Sequence, residues 1–253
     1  MPIIIIESIG FSATHSISDF LQLIPNIKVS HGTRNFTKNT PMGVDDLLFE
    51  EFYNQMLSQS QKYEYCISVH SNYSPQLISK VIDKKNTKFF GLMRKSQFKQ
   101  IMSCFYWAVN GFLNGREDFS KIFSEIQSTH GNSLKQIGLS VNMKTCLMLY
   151  AFNWVSEFNL KLISHAHKIL FMEDIIANPR NFLNLIGISF RYNKSLKIEK
   201  GPSHKNKVKQ FEFLSNVDEI LEKISSHFYF NYDNAKINIH DIDKLCASKS
   251  FMN

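Results

Sequence analysis

Directly after an apolar run, the chain carries the turn "GFSATHS", from Gly10 to Ser16. Gly10 permits backbone angles that other residues avoid. At the start of an expected helix, the backbone N–H groups of Ser12, Ala13, Thr14 and His15 would point at an anion, with the helix dipole adding to the attraction. The hydroxyls of Ser12, Thr14 and Ser16 are further donors. The same residue types also cap helices, so cap and anion cradle both stay open. The loop lacks the GxxxxGK[ST] pattern, which disfavours an ordinary nucleoside-triphosphate site. Phe11 stands where a cation would be expected.

Three further places carry side chains suited to anion chemistry. In "YCISVHSNYSP", His70 ends an expected strand, where an imidazole can act as a general base near neutral pH or serve as a hydrogen-bonded structural residue. In "KFFGLMRKSQFKQIMSCFYW", Arg94 closes another strand and Ser103 lies one to two turns into the following helix. Together they would clamp a phosphate; separately, Arg94 is a solvated strand end. In "KGPSHKNKVK", Lys200, His204, Lys205, Lys207 and Lys209 surround Gly201 and Pro202, as a basic loop over a phosphate or as ordinary surface.

Positioning these residues requires a layered scaffold. Short apolar or β-branched runs predict strands over Ile3–Ser8, Lys28–Ser30, Tyr65–Val69, Lys88–Met93 and Lys168–Met172. Helical spacing predicts helices over Ser16–Ile24, Val44–Ser58, Phe98–Leu113 and Val141–Leu162, with another starting near Asn178-Pro179. Alternation of strand and helix gives an α/β fold with a parallel sheet, whose ligands sit at the carboxyl ends of the strands. The reading is of one domain over residues 1–230 and a tail, 231–253, with no assigned role.

Composition narrows the function classes. The chain has 253 residues, 43% of them hydrophobic, and no apolar run near the ~20 needed to cross a bilayer. Ile3–Ile6 reads as a core strand rather than a signal peptide. Cys66, Cys104, Cys146 and Cys246 lack CxxC spacing and read as reduced core thiols, with no metal site, which points to a cytoplasmic protein. The net charge of +7 suits an anionic ligand. No nucleic-acid reading motif accompanies it, so nucleic acid is not the expected partner. Oligomeric state is left open.

Taken in order, the signals resemble the sulfotransferase family that uses 3′-phosphoadenosine 5′-phosphosulfate. "GFSATHS" is similar to the family's PKSGTT or GRSGTT loop, with Ser12, Ala13, Thr14 and His15 matching S-G-T-T. "SVH" stands at the KTH-type strand end, and "RKSQFKQIMSCFYW" resembles RNPxDxxxSxYY with one extra residue between Arg94 and Ser103. "ILFMEDIIANPRNFLNLIGISF" is similar to the yEDLxxdPxxxlxxixxFLGi segment, and "EKGPSHKNK" to the RKG loop, with Lys200 and Gly201 in register. The resemblance covers residues 3 to about 213.

What the resemblance implies is a three-layer, P-loop-like sulfotransferase fold with a central parallel sheet flanked by helices. It further implies transfer of a sulfuryl group to a hydroxyl or amine of a small-molecule or glycan acceptor. His70 would be the catalytic base. Ser12, Ala13, Thr14, His15 and Ser16 would hold the 5′-phosphosulfate, Arg94 and Ser103 the 3′-phosphate, and Lys200 and Gly201 would cover it. No metal is required. Glu173 and Asp174 are expected to pair with a cation or cap a turn. Phe11 departs from the family's loop Lys or Arg, a loss worth on the order of 2–4 kcal/mol of transition-state stabilisation. His15, His31 and Arg34 are candidate replacements. Ser68 and Glu199 also depart, and the alternative is a catalytically impaired module that binds a nucleotide or anion.

Overall fold

A computed structural model of the chain describes residues 3–10, 12–32, 46–71, 73–83, 85–189, 197–198, 215–232 and 235–248. By internal contacts the chain divides into two compact units, where the sequence suggested one domain and a tail. The first comprises Met1–Lys95, Phe158–Gly201 and Leu245–Asn253, and the second Ser96–Glu157 and Pro202–Lys244.

In chain order the first unit contains β1 (Ile3–Glu7), α1 (Thr14–Gln22), β2 (Ile27–His31), α2 (Asp46–Ser60), β3 (Tyr65–Val69), α3 (Pro75–Val81) and β4 (Thr87–Met93). After the second unit's helices, α4 (Gln97–Leu113), α5 (Glu117–Gln136) and most of α6 (Met143–His165), the chain returns with β5 (Lys168–Phe171), α7 (Met172–Ala177) and α8 (Pro179–Ile186). The five expected strands all form, and they pair in parallel in the order β2-β3-β1-β4-β5.

The residues explain the layering. Ile3, Ile4, Ile5 and Ile6 are fully buried, so β1 has no solvent face and reads as a continuous apolar run. On one face, Ile4, Ile6, Ile67, Val69, Phe90 and Leu92 pack with Ile17, Phe20 and Leu21 of α1 and with Phe182, Leu183 and Ile186 of α8. The other face is also covered, with α2 packed on β1 and β3. Asn178 caps α8, its side chain accepting from the Asn181 N–H at 3.0 Å, and Pro179 fills the first turn. Gly187 ends the same helix at φ 86°, a left-handed cap.

The second unit is helical. Phe119, Leu134, Leu147 and Phe152 are buried within it. It also holds α9 (Val217–His227) and a hairpin of β6 (Phe230–Tyr232) and β7 (Ala235–Ile237). Residues that the sequence left as a tail therefore form a hairpin and α10 (Ile239–Ser248), with Ile239 and Ile242 fully buried. All four cysteines are free and buried, as expected of core thiols. No helix among the described residues is long and apolar enough to cross a membrane.

One close approach fixes the packing of β4. A Cβ on Gly91 would lie 2.7 Å from Ile169 Cδ1 and 3.3 Å from Leu162 Cβ. Gly91→Val is expected to destabilise the protein by about 1–3 kcal/mol through overpacking, read as a lower urea midpoint at unchanged slope.

Candidate functional site

The strand order fixes where a site can form. From β1 the chain passes to β2 on one side of it, and from β3 it crosses to β4 on the other. Connections therefore part beside β1, and at such a switch point the loops leave a crevice beyond the carboxyl ends of the strands. Since all five strands are parallel, the residues following β1, β3 and β4 emerge at one edge. Ser12, Thr14, His70 and Arg94 all belong to these strand ends.

The loop after β1 is shaped by its own backbone. Gly10 sits at φ 93°, which its missing Cβ allows. The Ser8 hydroxyl accepts from the Gly10 N–H at 3.1 Å, and the Ser12 hydroxyl donates to the Gly10 carbonyl at 3.3 Å. Ala13 is the N-cap of α1, left-handed at φ 55°, and its methyl group offers the helix no side-chain cap. Ser12 turns to Gly10, and Thr14 Oγ1 pairs with His31 Nε2 at 3.0 Å. Ser12 and Thr14 are buried, Ala13 and Ser16 half-buried, and His15 exposed.

His70 continues the β1–β3 ladder one residue beyond the strand, its N–H donating to the Ile6 carbonyl at 2.8 Å. Its backbone then turns left-handed at φ 57°, a conformation costing on the order of 1–3 kcal/mol in a non-glycine residue. The turn brings the ring back over β1. Nδ1 lies 2.6 Å from the Ser8 carbonyl and 3.5 Å from Glu7 Oε1. Gly10 lies on the ring's far edge, where a Cβ would be 3.8 Å from Cε1 and 3.9 Å from Nε2.

Glu7 is fully buried at the end of β1. Its Oε1 accepts from the Ser8 N–H at 3.0 Å and its Oε2 from the Ser71 N–H at 2.9 Å. The Ser71 hydroxyl also donates to Oε2. Beside this group, His31 stacks on His15 with ring centroids 3.8 Å apart and lies 5.6 Å from the ring of His70. The result is three imidazoles over the loop and one carboxylate beneath it. Burial works against charging His70, but the hydrogen bond and charge of Glu7 and the Ser8 carbonyl outweigh it and raise its pKa above 6.5.

At the neighbouring strand end, Glu173 and Asp174 open α7 and pair with cations, as the sequence suggests. Glu173 Oε1 lies 3.6 Å from Arg94 Nε, and its Oε2 accepts from the Lys95 N–H at 3.0 Å. Lys95 Nζ meets Asp174 Oδ1 at 2.6 Å. An anion reaching Arg94 would thus meet a guanidinium already oriented, and partly neutralised, by a carboxylate. Ser103 belongs to the second unit, where its hydroxyl donates to the Lys99 carbonyl at 2.9 Å. Lys200 and Gly201, with Phe11 and Glu199, lie outside the described residues.

The edge thus gathers Ser12, Ala13, Thr14, His15, Ser16 and His70 around one loop, with Arg94 on the adjacent strand. Sequence reasoning missed Glu7 and Ser71. A signal existed, because a glutamate closing an all-isoleucine buried strand has no apolar reason to be there. Among the described residues, no group of three or more His, Cys, Asp or Glu is arranged to hold a metal.

The raised pKa of His70 carries a sign for stability. A group that binds its proton more tightly when folded stabilises fully below its unfolded value, here about 6.5, and loses that contribution as pH rises through the folded value. Unfolding free energy measured by urea titration should therefore decline upward from about pH 6.5, and His70→Gln should flatten that decline.

Comparison with protein-family models finds no match, and comparison with curated proteins finds none either.

Proposed function

We propose that the chain is a sulfotransferase, moving a sulfuryl group from 3′-phosphoadenosine 5′-phosphosulfate to a hydroxyl or amine acceptor. One observation carries the reading: the ring of His70 lies against Gly10 of the β1 loop, at the sheet edge where the connections part. That juxtaposes a base with a backbone turn whose N-cap residue is an alanine, an arrangement suited to in-line transfer. The first turn of α1 would take the 5′-phosphosulfate, with Ser12 to Ser16 as its cradle. Arg94 would take the 3′-phosphate.

In this mechanism the acceptor oxygen or nitrogen bonds to sulfur as the sulfur–oxygen bond to the 5′-phosphate breaks. The electron pair stays on the phosphate oxygen, leaving 3′,5′-bisphosphorylated adenosine. The acceptor's proton passes to Nε2 of His70. Positioning and charge stabilisation supply most of the acceleration, as in phosphoryl transfer, and no step needs a metal. The acceptor class, small molecule or glycan, follows from the same resemblance.

The alternative, a binding module without turnover, is favoured by Phe11, since no permanent cation stands at that place in the loop sequence. The two readings part on activity. With 3′-phosphoadenosine 5′-phosphate at saturation, the melting temperature should rise, and Arg94→Ala should reduce that rise. His70→Ala should keep it while lowering transfer of radiolabelled sulfate by ~10²-fold or more. No thermal shift with the nucleotide would sink the sulfotransferase reading, and a shift without any His70-dependent product would leave the module.

A further inference from the structure

We propose that Glu7 is a positioning residue for His70, acting with the Ser8 carbonyl to hold the ring so that Nε2 is the working nitrogen, and stabilising the imidazolium formed when His70 takes a proton. The proposal rests on reading His70 as the base.

A carboxylate with no solvent exposure is costly unless its oxygens are satisfied. Those of Glu7 accept from the Ser8 N–H, the Ser71 N–H and the Ser71 hydroxyl. These bonds fix the carboxylate before any ligand arrives. Replacing a buried charge pair by apolar side chains is often neutral or stabilising, so stability alone gives little reason for a glutamate here. What the glutamate adds is a negative charge 3.5 Å behind Nδ1 of a base.

The proton on the ring is assigned by chemistry. Nδ1 lies 2.6 Å from the Ser8 carbonyl, which can only accept, so Nδ1 is the donor. A neutral His70 therefore presents its lone pair at Nε2, beside Gly10 and the β1 loop. When Nε2 gains a proton, the positive charge is shared with Nδ1–H, facing Glu7. The other titratable groups on the elements around His70 are His31 of β2 and His15 of α1, stacked behind it, with Arg94 at the tip of β4. Each is basic, and any positive charge on them opposes the imidazolium, so Glu7 is the group that sustains it.

The test needs no substrate. Long-range ¹H–¹⁵N correlation on the intact wild-type chain, with His70→Gln to assign the signal, should show neutral His70 protonated on Nδ1. In Glu7→Gln the titration midpoint of His70 should move to lower pH, while His15 and His31 change less. If transfer is measurable, Glu7→Gln should lower kcat by ~10-fold or more, within the ~10²–10⁴ that general acid–base catalysis contributes. KM should hold, and the acidic limb of the rate profile should move with the midpoint. A proton on Nε2 in the neutral wild-type ring, or an unmoved midpoint in a folded Glu7→Gln chain, overturns the proposal. If Glu7→Gln does not fold, the wild-type midpoint decides: one at or below the ordinary imidazole value overturns the proposal. Failure to find sulfuryl transfer would remove the base reading and leave tautomer and midpoint standing, so the two failures are distinct.

Discussion

Parallel pairing on both flanks of β1 is the constraint from which the rest follows. Ile3 to Ile6 are bonded to β3 on one side and β4 on the other, with helices over both faces. Along β1 no polar side chain interrupts the apolar run, and polarity appears only at its end. There Glu7, Ser8 and Gly10 occur together. Because β3 and β4 run the same way, their first irregular residues, His70 and Arg94, arrive at the same edge. The polar cluster is thus a product of strand direction as much as of residue choice.

The electrostatics of that edge are more balanced than the chain's net charge of +7 suggests. Glu7 lies under His70, Glu173 beside Arg94, and Asp174 on Lys95. The Arg94 pair, with both partners partly exposed, is worth roughly 0.2–1 kcal/mol. Its main effect is orientation of the guanidinium at the tip of β4. The Glu7 carboxylate is different, because burial removes the water that would screen it, and its influence on the neighbouring ring is correspondingly larger.

Sheet strands were legible because a strand buried on both faces is a compact apolar or β-branched run, a form that IIIIE, YCISV and most of TKFFGLM share. Helices with an apolar stripe, such as α4, were legible for the same kind of reason. What stayed hidden was α5, a twenty-residue helix whose polar, glycine-containing sequence offers few buried anchors beyond Phe119 and Leu134. The hairpin was hidden because its strands are only three residues long, whereas the tail sequence is open to a helix and α10 carries Ile239, Ile242 and Cys246 at helical spacing. At the site, loop hydroxyls and strand-end cations could be read from residue type. The pairing of the Glu7 carboxylate with Ser71 beneath His70 could not, since the two are 64 residues apart and meet only through the β1–β3 register.

The left-handed backbone of His70 has a consequence for how this chain can drift. Glycine or asparagine would occupy that φ of 57° with less steric cost. Backbone strain alone would thus favour a smaller residue at position 70. The ring's hold on the Ser8 carbonyl and on buried Glu7 pulls the other way, so the site keeps a histidine only where those contacts are kept with it.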